Sequence, residues 1–144
     1  MQAIRSFLIV LFMAVASTAV AQQTISISEL VNTKWRVENN WISDYKEYTL
    51  TEIIWKRKDG SFFKYPYYLT DTPVTSYDKS VFDYSKVGKS KKGSYMVSIN
   101  EKMGIVYCSS IESFDKKKGV LVIKVVTQGL IGASGGIERY KLVK

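Results

Sequence analysis

The chain contains no histidine and a single cysteine, Cys108. The first absence removes the commonest general base and the commonest transition-metal ligand. One thiol without imidazole assembles no ordinary zinc site and no Ser-His-Asp or Cys-His arrangement. Carboxylate pairs remain, since two of them flanking a bond are enough for acid–base work. The 13 acidic residues are scattered, however. Asp44, Asp59, Asp71, Asp78 and Asp115 fall in turns or at strand ends, and only Glu52 and Glu101 stand apart from turn-like sequence. No catalytic residue is assigned, no metal or cofactor is called for, and the protein is not expected to be an enzyme. Cys108 lies in the apolar run Ile105-Val106-Tyr107-Cys108 and reads as a small buried hydrophobe.

Two features invite an anion-binding interpretation. Gly129 to Gly136 is glycine-rich, but a phosphate cradle needs a following lysine and a helix N-terminus, and here Ile137-Glu138 lead into a strand. A bulged or open hairpin connection is the simpler reading. Lysines cluster at Lys56-Arg57-Lys58, Lys89 to Lys92 and Lys116-Lys117-Lys118. Each cluster adjoins a turn and reads as a solvated loop tip. Brought together, they would make one basic end that attracts acidic glycans, lipid headgroups or nucleic acid. Phe63-Lys64-Tyr65 only loosely matches the aromatic and basic interleaving of a single-strand nucleic-acid site.

The aromatic residues carry the strongest signal. Phe62, Phe63, Tyr65, Tyr67 and Tyr68 crowd one segment, and Trp35, Trp41 and Trp55 sit on or beside the two before it. Inward-facing aromatics either fill a core or line a pocket with hydroxyl tips that orient a guest. The candidate ligand-binding set is Trp35, Trp55, Phe63, Tyr65 and Tyr67.

Those residues need a pleated scaffold, and the sequence supplies one. Trp35 and Val37 alternate with charged neighbours; Tyr45 to Lys56 follows as one β-rich run. Lys58-Asp59-Gly60 is a hairpin signal, and Ser61 to Thr70 returns with Phe63, Tyr65, Tyr67 and Leu69 on one face. Pro66, on the other face, lacks a ladder donor and marks an edge or bulge. Asp71 to Lys92 is irregular, with room for a short strand or helical turn around Ser80 to Tyr84. Strands are expected over Tyr95–Asn100, Gly104–Phe114, Val120–Thr127 and Ile137–Val143, with Asp115-Lys-Lys-Lys-Gly119 as a turn. The one helical turn runs from Ser28, its cap, to Asn32. Seven to nine short strands with turn signals between them make an all-β antiparallel sandwich or barrel.

Leu30-Val-Asn-Thr-Lys-Trp-Arg-Val37, a leucine-bearing turn ahead of a tryptophan strand, resembles the opening of lipocalin-like barrels. Tyr67 to Lys89 looks like the middle of small exported bacterial lipocalin-like (calycin-type) proteins, and the strand Ile137 to Lys144 suits the same pattern. The resemblance implies an antiparallel up-and-down barrel of about eight strands, with Trp35 plugging its floor and no catalytic residue. Asn32 stands where the family usually has glycine, and asparagine tolerates the left-handed backbone that position needs.

Residues 1–21 are set apart from this fold. Arg5 precedes the apolar run Phe7 to Val15, and Ala19-Val20-Ala21 offers small residues at both recognition positions of a cleavage site. The whole apolar stretch is shorter than the about 20 residues that span a bilayer, and polar Gln22-Gln23-Thr24 follow at once. A cleaved signal peptide is therefore expected, with no membrane span left afterwards and no cysteine at the site to take a lipid. The mature domain, residues 22–144, carries 20 basic residues against 13 acidic. An exported protein, periplasmic or secreted, has little call for nucleic acid. The reading is a non-catalytic binding protein holding a small apolar or amphipathic ligand in a barrel pocket. The alternative is a filled barrel whose loops, Asp71 to Lys92 above all, grip another protein or an envelope polymer.

Overall fold

The computed structural model describes residues 22–38, 44–127 and 136–144. The expected signal sequence, Trp41 and all but the last residue of the Gly129–Gly136 segment lie outside them. Two-residue strand β1 (Ile25–Ser26) leads into one helical turn, α1 (Ile27–Leu30), and then β2 (Thr33–Val37), β3 (Tyr45–Tyr48), β4 (Glu52–Lys56) and β5 (Phe62–Thr70). After the irregular segment come β6 (Lys92–Gly93), β7 (Tyr95–Asn100), β8 (Ile105–Asp115), β9 (Val120–Thr127) and β10 (Ile137–Leu142). Eight strands close into an antiparallel barrel in the order β10-β2-β3-β4-β5-β7-β8-β9, while β1 and β6 pair separately. The expected all-β barrel of about eight strands with a short N-terminal helical turn is what forms.

Local chemistry departs from expectation in three places. Tyr45 to Lys56 is two strands, because Thr49 turns the chain: its hydroxyl accepts from the Glu52 N–H at 2.9 Å while its own N–H donates to the Glu52 carbonyl. The helical turn starts earlier than expected, capped by Ser26 with the Glu29 carboxylate accepting from the Ser26 N–H at 2.9 Å. Pro66 sits at neither an edge nor a bulge. It is the last residue of β5 paired with β4, and pairing with β7 begins at Tyr67. The Tyr67 N–H points to the β4 side, at the Thr51 carbonyl, so the Pro66 nitrogen faces β7 one position beyond its ladder. No bond is lost there.

The barrel has a closed end and an open one. At the closed end Ile25, Ile27 and Leu30 pack beneath Trp35, Leu69, Ile111 and Phe114. Shifts in the β8–β9 register let Ile111 and Phe114, three apart, join one core. The Gln23 side chain holds the backbone there from both sides, accepting from the Phe114 N–H and donating to its carbonyl. A second core lies outside the barrel wall. Residues 71–91 cross the outer face of β5, β7 and β8 as a strap, with Phe82, Val74 and Val87 packed on Tyr68, Val97, Ile99, Val106 and Cys108. Two 3-10 turns in the strap, Lys79–Val81 and Tyr84–Lys86, are capped by Asp78 and Asp83. Burial pushes the Cys108 thiol above its ordinary pKa, consistent with a packing role.

Asn32 takes φ +62°, the left-handed conformation expected of it. Asn32→Gly should leave stability within about 0.5 kcal/mol of the native protein, whereas Asn32→Val should cost about 1–2 kcal/mol, the left-handed penalty of a branched side chain. Paired urea melts check both.

Candidate functional site

The open end of the barrel holds a cavity of about 310 Å³. Its apolar wall is Ile53, Met96, Ile123 and Val125; its polar atoms come from Ser98, Ser109, Thr127 and the tyrosines. These side chains reach the interior by strand alternation, from β4, β5, β7, β8 and β9 among others. Trp55 and Tyr65 face each other across the β4–β5 hairpin, ring centres 6.5 Å apart and nearly perpendicular, and Tyr107 of β8 adds a third ring 6.4 Å from Tyr65. A second depression of about 410 Å³ adjoins on the β10 side and shares Lys46, Trp55 and Glu138 with the first.

The five aromatic candidates separate by depth. Trp55 and Tyr65 line the cavity. Tyr67 lies below it, edge-on to Tyr48 at 5.8 Å, with its hydroxyl donating to the Thr49 carbonyl at 2.7 Å. Trp35 lies deeper still, fully buried against Phe114. Its indole N–H donates to the Thr33 hydroxyl, which in turn donates to the Leu30 carbonyl. Phe63 is on the same face as Tyr65 and stacks on it, but sits at the rim, 40% exposed, with the Arg57 guanidinium 4.9 Å above its ring. Lys64 points outward to Glu52.

Sequence reasoning missed the polar corner of the cavity. The Lys46 ammonium donates to the Tyr140 hydroxyl at 2.8 Å, and that hydroxyl donates to the Glu138 carboxylate. Lys46 also lies between two π faces, 5.4 Å from the Trp55 ring centre and 5.0 Å from that of Tyr140. Asp44, buried, accepts from the Trp55 indole N–H at 2.8 Å and so fixes that ring. Desolvation holds the Lys46 ammonium below its ordinary pKa, against the opposing pull of Glu138 and Asp44. Burial raises the Tyr140 hydroxyl well above its ordinary value, with the Glu138 charge adding to the effect. The overlooked signal was phase: Lys46 is two residues from Tyr48 and Glu138 two from Tyr140, so both share an inward face.

The lysine clusters do not form one basic end. Lys91 and Lys92 lie beside β1, and Lys116 to Lys118 border a shallow depression with Lys141 and Lys144, both at the closed end. Lys56 to Lys58 belong to the hairpin at the mouth. Among the described residues no helix is long and apolar enough to cross a membrane. Comparison with protein-family models, with curated proteins and with solved structures finds no significant match to this chain.

Proposed function

We propose that this is an exported, lipocalin-like binding protein that holds a small apolar or amphipathic molecule in the mouth of its barrel without catalysing a reaction. The observation that carries this reading is the cavity itself. A barrel of this strand number is readily filled by its own side chains, and this one leaves about 310 Å³ lined by four aromatic residues, Tyr48, Trp55, Tyr65 and Tyr107, and one polar corner. That volume is at the lower end of ligand pockets, about 300–1,000 Å³, and suits a compact guest. Export is supported by the three-part pattern of residues 1–21.

Native mass spectrometry of protein taken from its own host tests both parts at once. The polypeptide mass should begin at Gln22, and a co-purifying small molecule should be released on unfolding. A mass that retains Met1 would overturn export. In a second measurement, an apolar fluorophore should bind saturably and alter Trp emission, and Tyr65→Ala should weaken it about tenfold, the loss of one aromatic wall of about 1–1.5 kcal/mol. Binding that does not saturate, or that is indifferent to Tyr65, would move the reading to a docking role for the strap.

A further inference from the structure

We propose that Lys46 is a covalent anchor: its amine captures a small apolar aldehyde in the barrel cavity as a reversible imine. The inference rests on the cavity reading above and goes beyond it by naming the atom and the ligand class. Lys46 lines the cavity and the adjoining depression, in contrast to the lysines of the turns, which stand in open solvent. Its Nζ uses one donor on Tyr140 among the described residues, and the side chain is walled by Trp55 and Tyr140. Three groups from neighbouring elements face it: Asp44 ahead of β3, and Glu138 and Tyr140 on β10.

That surround selects the ligand class. A carboxylate head would meet Asp44 and Glu138 at close range, and two negative groups against one ammonium disfavour a third. A cationic head would compete with Lys46 for the same rings. A neutral carbonyl has neither difficulty. Burial depresses the lysine pKa, which raises the fraction of free amine available to attack.

The atoms balance without any further reactant. The ammonium proton passes by way of the Tyr140 hydroxyl, 2.8 Å from Nζ, towards the Glu138 carboxylate. The amine lone pair forms a C–N bond to the aldehyde carbon, and one of the two protons left on that nitrogen moves to the carbonyl oxygen to give a carbinolamine. The same hydroxyl chain returns a proton to that oxygen, the C–O bond breaks, and one water leaves. The products are one protonated imine and one water, the Glu138 carboxylate is restored, and nothing is oxidised or reduced. Tyr140 is a positioning residue in this scheme, since it touches the amine and the carboxylate together.

The test uses trans-cinnamaldehyde on the folded mature protein at neutral pH. Sodium cyanoborohydride traps the imine, and peptide mapping locates it. Lys46 should be labelled at least tenfold faster than any turn lysine. Cinnamyl alcohol, which has the same skeleton and no carbonyl, should suppress labelling at Lys46 about tenfold and leave the turn lysines unchanged. Tyr140→Phe should slow Lys46 labelling by a larger factor than it weakens alcohol binding, read by Trp emission. Lys46→Met supplies the assignment control, because it keeps a side chain of similar length against the Trp55 and Tyr140 rings and removes only the amine. Lys46 labelled no faster than the turn lysines overturns the proposal. If the alcohol still binds in that case, the cavity reading stands and only the imine is lost; if it does not bind, both fall together.

Discussion

Trp35→Ala should lower the unfolding free energy by about 3–5 kcal/mol, the range for deleting a large buried aromatic. The indole is 0% exposed and packs on Phe114 with ring centres 5.7 Å apart. Its N–H is the first link of a short chain through the Thr33 hydroxyl to the Leu30 carbonyl, at 2.7 and 2.5 Å. Truncation opens a void and leaves the Thr33 oxygen without its donor in a buried setting, so both costs of a core deletion apply. Urea melts of the two proteins measure the difference. A loss below about 1 kcal/mol would mean that the closed end relaxes freely around the gap. Trp35→Phe should recover the greater part of the loss, since it restores the ring contact and forfeits only the hydrogen bond.

The second large effect is expected at a residue with no side chain. A Cβ built on Gly93 would lie 2.4 Å from the Thr70 nitrogen, 2.6 Å from its oxygen and 2.7 Å from its carbonyl carbon. All three are backbone atoms, so no rotamer change relieves the clash. Either β6 moves away from β5 or Thr70 leaves its pairing with Tyr95. Gly93→Ala should therefore cost about 2–3 kcal/mol, at the upper part of the usual overpacking range. The damage should be local in a recognisable way. Gly93 pairs with Ile25, and the Ile27 N–H donates to the Lys91 carbonyl, so hydrogen exchange should accelerate first at Ile25 and Ile27. Gly60→Ala is the matched control: nothing lies within 4 Å of its would-be Cβ, and only its φ of +86° is strained. About 1 kcal/mol is expected there, with no change at Ile25.

The barrel was legible because its walls alternate. Trp35 and Val37, the Tyr65-Tyr67-Leu69 series, and Leu121, Ile123 and Val125 all fall inward as their phase requires. The Lys58-Asp59-Gly60 hairpin was legible for a backbone reason, since Gly60 does take positive φ. The break between β3 and β4 was not, because Thr49-Leu50-Thr51 contains neither Gly nor Pro and turns on a threonine hydroxyl instead. The strap also escaped, since Phe82 stands in a polar stretch with no period-two alternation and its partners are outward-facing residues of distant strands. The cavity was half legible. Phase put Trp55 and Tyr65 on the inner face, but depth along the barrel depends on stagger between strands, and a single sequence carries little record of stagger. Depth is what separates Tyr65 in the wall from Tyr67 beneath it and Phe63 at the rim. Lys46 and Glu138 were passed over because charge in a strand ordinarily marks the wet face, and here two charges share the inner one.

The seating of β10 between β9 and β2 governs when this protein can exist as a folded object. Lys46 and Tyr140, in contact at the mouth, are 94 residues apart in the chain, and Leu142 pairs with Trp35. A chain emerging from its N-terminus can form hairpins early, but the ring stays open until its final strand arrives. Contacts of such long reach form slowly, because the loop must be closed before they repay it. A partly made chain would expose the free edges of β2 and β9, each ready to pair with another molecule. Under the export proposed above, that delay is useful: the ring cannot close before β10 arrives, so the chain stays open while it is threaded through a membrane, and it depends on protection from aggregation along the way.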